Sequence, residues 1–440
     1  LEGRCLSYSR RVVYHPIIDI LKAVFRIQEE DRNGDVREKV RLGLQALDSD
    51  PDVTMPFLLE MLSVEESGVD STAMSPEAKK ERIMEALKRI VLKGAERRPL
   101  ILAVEDLHWI DKSSEDAFKN LLDHIFGSRV FLLLTFRPEY RTGWGAKPYH
   151  SQINLDRLPL SECRKIIHHL ADPEAFVADL EELICKKTDG IPLFIEEYVR
   201  SLQGLPGIQK RKSRSVMAKS LLEIAIPSTL QEIIMARVDA LPEGAREVIQ
   251  AGAAIEREFS HGLIQQVMGL AEKELVEHLS TLKDAGLIYE RGICPESSYI
   301  FNHAVTQEVV YDSILEKKRS RLHERIGNAI ESLYEEGLDP YVEALARHYS
   351  ESGDLEKGAR YCLLAAKKSE HQASFPDAIA FGEKRVECLE ALSRTTDVGR
   401  QLIDARTALG LYHIQMNYHE EAKKVVEPIL PLAREQQYRK

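Results

Sequence analysis

Residues Leu100–Asp111 read LILAVEDLHWID: five apolar residues, Leu100 to Val104, run straight into Glu105 and Asp106. An unbroken aliphatic run of this length, with no polar alternation, is the pattern of a strand buried on both faces, as in a parallel sheet covered by helices. The two carboxylates then project from the carboxyl end of that strand.

The surroundings fit such a sheet. Residues 1–160 read as α/β, with strands expected at about Gly3–Tyr8, Pro99–Glu105, Val130–Phe136 and Ile153–Leu158. Helical patterns lie between them at Ile17–Arg26, Pro76–Lys93 and Ser113–Phe126. In the last, Ser113 is placed to cap, and Phe118, Leu121, Leu122 and Ile125 form one apolar face. The polar stretch Glu65–Ser75 reads as a surface loop.

From Ser161 the periodicity is helical. Helices over Ser161–Leu170 and Phe176–Thr188 lead to Gly190-Ile191-Pro192 and a helix over Leu193–Leu202. Residues 204–220 are rich in Gly, Lys and Arg; the cluster Lys210, Arg211, Lys212 and Arg214 suits either an acidic partner or a solvated loop. Over 227–320, three helices precede two short strands bounded by Gly and Pro, the order of a winged helix. Beyond Leu322 the chain is helix after helix. Tyr349, Asp354 and Ala359 match Tyr412, Asn417 and Ala422 at one constant offset of 63 residues. That spacing predicts stacked helical hairpins of the tetratricopeptide kind, with ordinary helical bundling as the alternative. The expected domains are thus 1–160, 161–226, 227–320 and 321–440.

Composition narrows the function. At 440 residues two or three domains are expected, and a net charge of −11 argues against extended nucleic-acid binding. Six cysteines stand far apart with no C-x-x-C pair, which predicts free thiols in a reducing, cytoplasmic compartment. No apolar run approaches the roughly 20 residues that span a bilayer, so no membrane partner is expected. The opening LEGRCLSYSRR has neither an initiator Met nor a signal-peptide pattern, and the chain is expected to be the interior of a longer one.

Paired carboxylates at a strand end suit magnesium–nucleotide chemistry. One orients the water shell of the metal and the other polarises the attacking water. Glu105 and Asp106 fit that role, and are equally read as two acids of a strand that ends in solvent. Val130–Phe136 runs directly into Arg137, which can reach a γ-phosphate or form a surface ion pair. His168-His169 lacks partners at metal-ligand spacing and reads as a helix-surface pair. No H-E-x-x-H, G-x-S-x-G or catalytic Cys/His arrangement stands out.

ILAVEDLHWID followed by FLLLTFRPEY resembles the Walker B and sensor-1 strands of the signal-transduction ATPases with numerous domains, a branch of the AAA+/P-loop NTPases. Thr188–Glu197, TDGIPLFIEE, is similar to that group's Gly-x-Pro motif. The opening EGRCLSYSRRVVYHPIIDIL resembles the ATPase regions attached to bacterial adenylate and guanylate cyclases. FNHAVTQEVVYDSIL is similar to their winged-helix segment, and the tail to their tetratricopeptide region. The resemblance implies an α/β P-loop NTPase-like parallel sheet, followed by an all-α lid, a winged helix and a tetratricopeptide-like α-solenoid. It implies ATP or ADP with Mg²⁺ as cofactor, Glu105 and Asp106 for Mg²⁺ and water activation, and Arg137 as the γ-phosphate sensor. Gly190 and Pro192 would form a turn against the base. His303 would touch the β-phosphate, although a lone His among apolar residues is also the pattern of a hydrogen-bonded core residue.

One departure is severe: no G-x-x-x-x-G-K-[ST] loop occurs anywhere in the chain. The strand that carries it in this family lies between those read at Val130–Phe136 and Ile153–Leu158. Its absence predicts a central gap in the sheet and weak or absent nucleotide binding by residues 1–440 alone. Three functions follow: a regulatory ATPase switch whose helical repeats sense a protein partner and which drives an effector such as a nucleotide cyclase; a non-catalytic interaction scaffold; or the ATPase region of a large helix-turn-helix regulator. Residues 227–320 hold 9 Lys/Arg against 15 Asp/Glu, so this winged helix is expected to be structural and not to bind DNA.

Overall fold

The computed structural model describes every residue except 6–12, 29–30, 65–66, 70–73, 142, 146, 172–177, 204–228, 293–296, 336, 436–437 and 439–440. Two compact units result: Leu1–His150 together with His323–Lys440, and Ser151–Leu322.

The first unit is built on a parallel sheet in the order β1 (Glu2–Arg4), β2 (Leu100–Glu105), β3 (Val130–Leu134). Its register sets Gly3 beside Val104, Arg4 beside Glu105 and Ala103 beside Leu133. Helices α1 (His15–Phe25), α2 (Asn33–Ala46), α3 (Pro51–Met61) and α4 (Pro76–Arg97) lie between β1 and β2, and α5 (Lys112–His124) joins β2 to β3. Helix α1 crosses β1 so closely that a Cβ at Gly3 would sit 2.5 Å from the carbonyl oxygen of Pro16, so no side chain fits there. Leu102 and Val104 are buried, whereas Ile101, Phe131 and Leu133, on the opposite face, are exposed.

Several expectations change here. The Gly3–Tyr8 strand is described only in part, since residues 6–12 lie outside the described residues; β1 covers Glu2–Arg4. Most of Glu65–Ser75, the 204–220 basic loop and Cys294 also lie outside them. Helix α2 buries only the narrow stripe Val36, Val40 and Leu44, and α3 is apolar with Pro56 inside it, so neither shows a clear helical period in the sequence. The cap of α5 is Asp111, whose Oδ1 accepts from the amide of Ser114 at 2.8 Å, and not Ser113, which is buried elsewhere.

The strand expected at Ile153–Leu158 is absent: residues 151–159 have no regular structure, with Ile153 and Leu155 82% and 93% exposed. A strand exists only through a ladder to a neighbour. Over 153–158, among the described residues, only the amide of Leu158 finds a backbone partner, the carbonyl of Gly190 at 2.9 Å. The sheet is also not covered evenly on both faces, as the exposed Ile101 and Phe131 show.

The rest of the unit is helical: α15 (Val342–Ser350), α16 (Leu355–His371), α17 (Phe375–Ala391), α18 (Thr396–Gln415) and α19 (His419–Val426), each packed on the next. The 63-residue offset falls on equivalent places. Tyr349 and Tyr412 are buried near the ends of α15 and α18, and Ala359 and Ala422 are buried in α16 and α19. Asp354 caps α16 through the amide of Lys357, and Asn417 turns the chain with φ +60°. These are tetratricopeptide-like helical hairpins.

In the second unit, α6 (Leu160–Leu170), α7 (Ala178–Thr188) and α8 (Pro192–Gln203) enclose Cys163, Ile167, Ile184, Ile195, Tyr198 and Val199. His168 is not merely a surface residue, since its Nε2 lies 2.7 Å from Glu181 Oε1 on α7. Four helices follow: α9 (Leu230–Asp239), α10 (Glu243–Ile255), α11 (His261–Met268) and α12 (Glu272–Asp284). They pack with an antiparallel sheet in the order β4 (Glu258–Ser260), β6 (Ser298–Phe301), β5 (Ile288–Arg291). Strand β4 is too short to show a period in the sequence. Helix α13 (Ala304–Asp312) follows β6 and α14 (Glu316–Leu333) follows it.

Ile249 on α10 is completely buried, and Leu411 on α18 is 57% exposed. Ile249→Ala is expected to cost about 2–4 kcal/mol in a urea unfolding series, and Leu411→Ala less than about 0.5 kcal/mol.

Candidate functional site

The carboxyl end of β2 is shaped by its crossing with β3. The amide of Thr135 donates to the carbonyl of Val104 at 3.0 Å, and that of Leu107 donates back to the carbonyl of Thr135 at 2.8 Å. Between them Asp106 takes a left-handed conformation, φ +58°, and its amide donates to Thr135 Oγ1 at 3.1 Å. That kink turns the chain out of the sheet into a short 3₁₀ turn, Leu107–Trp109. Left-handed backbone in a non-glycine residue is uncommon and Asp tolerates it better than most. Two residues beyond Thr135, the guanidinium of Arg137 lies over the Trp109 ring, 5.3 Å from its centroid. Glu105, Asp106 and Arg137 therefore converge on one edge of the sheet, as their placement at neighbouring strand ends predicts.

Arg4, which the sequence reading did not single out, belongs to this edge. Its Nε lies 3.6 Å from Glu105 Oε2, both side chains being partly exposed. The signal was the parallel pairing of β1 with β2, which sets Arg4 beside Glu105. Cys5 follows, and its amide donates to the carbonyl of Glu105 at 3.0 Å. Burial, then the nearby Asp111 charge, pushes the Cys5 thiol well up, so it is neutral and unreactive at ordinary pH.

A divalent cation is tested by the donors present. Glu105 and Asp106 offer hard carboxylate oxygens. Among the described residues no group of three His, Cys, Asp or Glu side chains could hold a metal. The pair fits Mg²⁺, which uses one or two carboxylates and takes its other ligands from water and phosphate, and does not fit a protein-caged ion such as Zn²⁺.

The other predicted residues stand in the second unit. TDGIP ends one helix and starts the next: Asp189 and Gly190 are both left-handed, φ +52° and +68°, and Pro192 occupies the first turn of α8. A Cβ on Gly190 would lie 2.4 Å from the carbonyl oxygen of Leu158. Asp189 pairs with Arg157. One turn into α8, Glu196 Oε2 lies 3.9 Å from Nε2 of His303, which begins α13. Gly190, Pro192 and His303 are thus joined through α8.

Around them lies a charge network that the sequence reading missed. Arg200 meets Glu196 at 2.5 Å, and Arg237 donates to both the buried Glu197 and the carbonyl of Ala285. The motif TDGIPLFIEE contained both acids; Arg200 follows Glu196 by four residues on the same helix, whereas Arg237 lies 40 residues from Glu197 and only the fold brings it close. Burial lowers the His303 pKa below the usual imidazole value, with Glu196 opposing, so the ring is neutral at pH 7.

Residues 1–133 match the family model of the AAA ATPase domain. The matched stretch contains β1, β2, Glu105 and Asp106 and ends within β3. The chain is also similar to an uncharacterized protein of Rhizobium meliloti (strain 1021), 27% identical over 371 residues, which is 82% of this chain and 35% of that protein. The chain thus spans about a third of the length of this curated relative. A solved structure, a signal-transduction ATPase with numerous domains carrying a tetratricopeptide repeat sensor from Pyrococcus horikoshii, aligns with 99% of this chain and 62% of its own, at 12% identity and a TM-score of 0.41. Among the described residues no helix is long and apolar enough to cross a membrane.

Gly190→Ala is expected to destabilise the second unit by about 1–3 kcal/mol, through both the left-handed backbone and the clash with Leu158. Hydrogen exchange at the Leu158 amide reads it: exchange should speed up at that site before the rest of the unit. An unchanged Leu158 amide would contradict this account of the turn.

Proposed function

We propose that this chain is the regulatory ATP-binding region of a multidomain signalling protein, in which nucleotide at the carboxyl end of β2 governs the helical repeats. The placement of Glu105, Asp106 and Arg137 at the carboxyl ends of β2 and β3, the two acids within the stretch that matches the AAA ATPase domain, carries this reading. Bound Mg²⁺ with ATP would supply a polarised phosphate chain. Asp106 would help hold Mg²⁺ through water, and Glu105 would accept a proton from water once Arg4 releases its carboxylate. Arg137, which rests over Trp109, would read the γ-phosphate. The resemblance assigns the Gly190–Pro192 turn to the base and the neutral His303 ring to the β-phosphate.

In this reading residues 1–160 are a partial ATPase core, 161–226 a lid and basic linker, 227–320 a winged helix and 321–440 the sensor repeats. The helices and three-stranded sheet of the second unit support the winged helix, and its acidic balance argues against DNA as its partner. The repeats take a protein partner, and the effector is of nucleotide-cyclase type, which rests on the resemblance of the opening segment. The cytoplasm is the proposed location.

Two measurements test the reading. Residues 1–440 alone are expected to show no calorimetric binding of Mg²⁺–ATP up to about 1 mM, because no phosphate loop is present. Measurable affinity would move the phosphate site onto other residues of this chain. In a longer version carrying a phosphate loop, Glu105→Gln should lower ATP hydrolysis about a hundredfold or more with ADP affinity nearly unchanged. Undiminished hydrolysis would remove Glu105 from the chemistry.

A further inference from the structure

Five residues from Asp106, the loop that leaves β2 ends in a second acid, Asp111, and this one is buried. It is 1% exposed, caps α5, and its Oδ1 accepts from the amides of Ser114 at 2.8 Å and Tyr14 at 3.2 Å. Its Oδ2 is buried with no hydrogen-bond partner among the described residues, as is the hydroxyl of the fully buried Tyr14. On the repeat side, Asp377 sits in the first turn of α17 and is 4% exposed. A chain of hydroxyls joins the two helices: Ser113 Oγ lies 2.5 Å from Ser374 Oγ, and Ser374 Oγ donates to Asp377 Oδ2. Both serines are buried.

Among the described residues neither carboxylate has a Lys or Arg partner. The charges that face them are few. From α1, His15 favours the Asp111 anion. From α15, Glu343, itself held by Lys368 at 2.9 Å, disfavours the Asp377 anion. Cys5 after β1 and Tyr14 before α1 are kept neutral by burial and by Asp111. Asp116 on α5 faces Tyr14 and is bound by Lys80 at 2.6 Å.

Two buried acids at the starts of helices that meet through Ser113 and Ser374, with no cation between them, do not both ionise at ordinary cost. We propose that Asp111 and Asp377 form a proton-held latch between the loop that leaves β2 and the repeat helix α17, closed while the pair keeps one proton and opened when both are charged. The latch goes beyond the nucleotide reading and does not depend on it. What it adds is a mechanical link: the loop that starts at Asp106 ends on the cap of α5, the helix whose Ser113 meets Ser374 of the repeats.

Burial, then the charge of Asp111, pushes Asp377 up to about 7, and burial raises Asp111 as well. An undocked Asp titrates near 3.9. The contact is therefore fully held below about pH 4 and is lost progressively as pH rises through about 7.

Hydrogen exchange with mass spectrometry on the 440-residue chain tests this, following peptides over 107–115 and 374–382 with intrinsic rates corrected. Between pH 6 and pH 8 protection in both should fall about tenfold, the factor for one group with these two pKa values. Asp377→Asn, a neutral isostere, should hold protection within about twofold over that range. Ser113→Ala removes a hydrogen bond that favours the Asp377 carboxylate, so opening should move to higher pH. Equal wild-type protection at pH 6 and pH 8, or a tenfold fall retained in Asp377→Asn, would overturn the latch. Should Asp377→Asn fail to fold by circular dichroism, the wild-type profile and the direction of the Ser113→Ala shift decide.

Discussion

Strand β2 is hydrogen-bonded on both sides, to β1 and to β3, and most of what the first unit presents follows from that double pairing. Pairing with β1 sets Arg4 beside Glu105, and pairing with β3 sets Thr135 where it can bond the backbone on both sides of Asp106. The left-handed conformation of Asp106 is tolerated because those bonds over-determine it. Had β2 been an edge strand, the two carboxylates would hang on a frayed end. Held from both sides, they stand at a defined step from sheet to loop.

That loop is short, and its two ends do different work. At its start lie exposed or half-exposed groups suited to phosphate and metal. At its end Asp111 is dry and caps α5, whose Ser113 meets Ser374 at the start of α17. The same contrast recurs in the second unit, where α8 begins with the Gly190–Pro192 turn and carries Glu196 and Glu197 one turn later into a network of Arg200, Arg237 and His303. In each unit a motif that is polar and local in the sequence anchors a buried, long-range ion or hydrogen-bond network. A buried polar group left without partners costs more than the contact stabilises, so such networks specify a single arrangement.

Much of this was legible in residues 100–137. A five-residue apolar run has one economical fate in an α/β region, and acids or an Arg directly after such runs must fall on the same sheet edge. The repeat offset of 63 residues was legible for a similar reason: Tyr349 and Tyr412, or Ala359 and Ala422, recur because the same packing position recurs. Less was legible where a single residue competes for two jobs. Ser113 has good capping chemistry, yet Asp111 caps and Ser113 turns to Ser374, 261 residues on. Local pattern cannot see that partner. The Ile153–Leu158 segment shows the reverse failure: its apolar residues read as a strand, but a strand is a property of a pair, and the segment lacks the neighbour.

By itself, then, the sequence determined the strands and helix of residues 100–134, which ends of strands carry acids and which turn demands glycine, because periodicity and left-handed backbone are local. It also established what chemistry is missing, since a phosphate loop is a contiguous motif. Only the tertiary structure decided that Arg4 lies against Glu105, that Arg137 rests on Trp109, and that Ser113 beside Asp111 reaches Ser374 beside Asp377. Those outcomes depend on strand register and helix docking, where energies of a few kcal/mol are set by residues far apart in the chain.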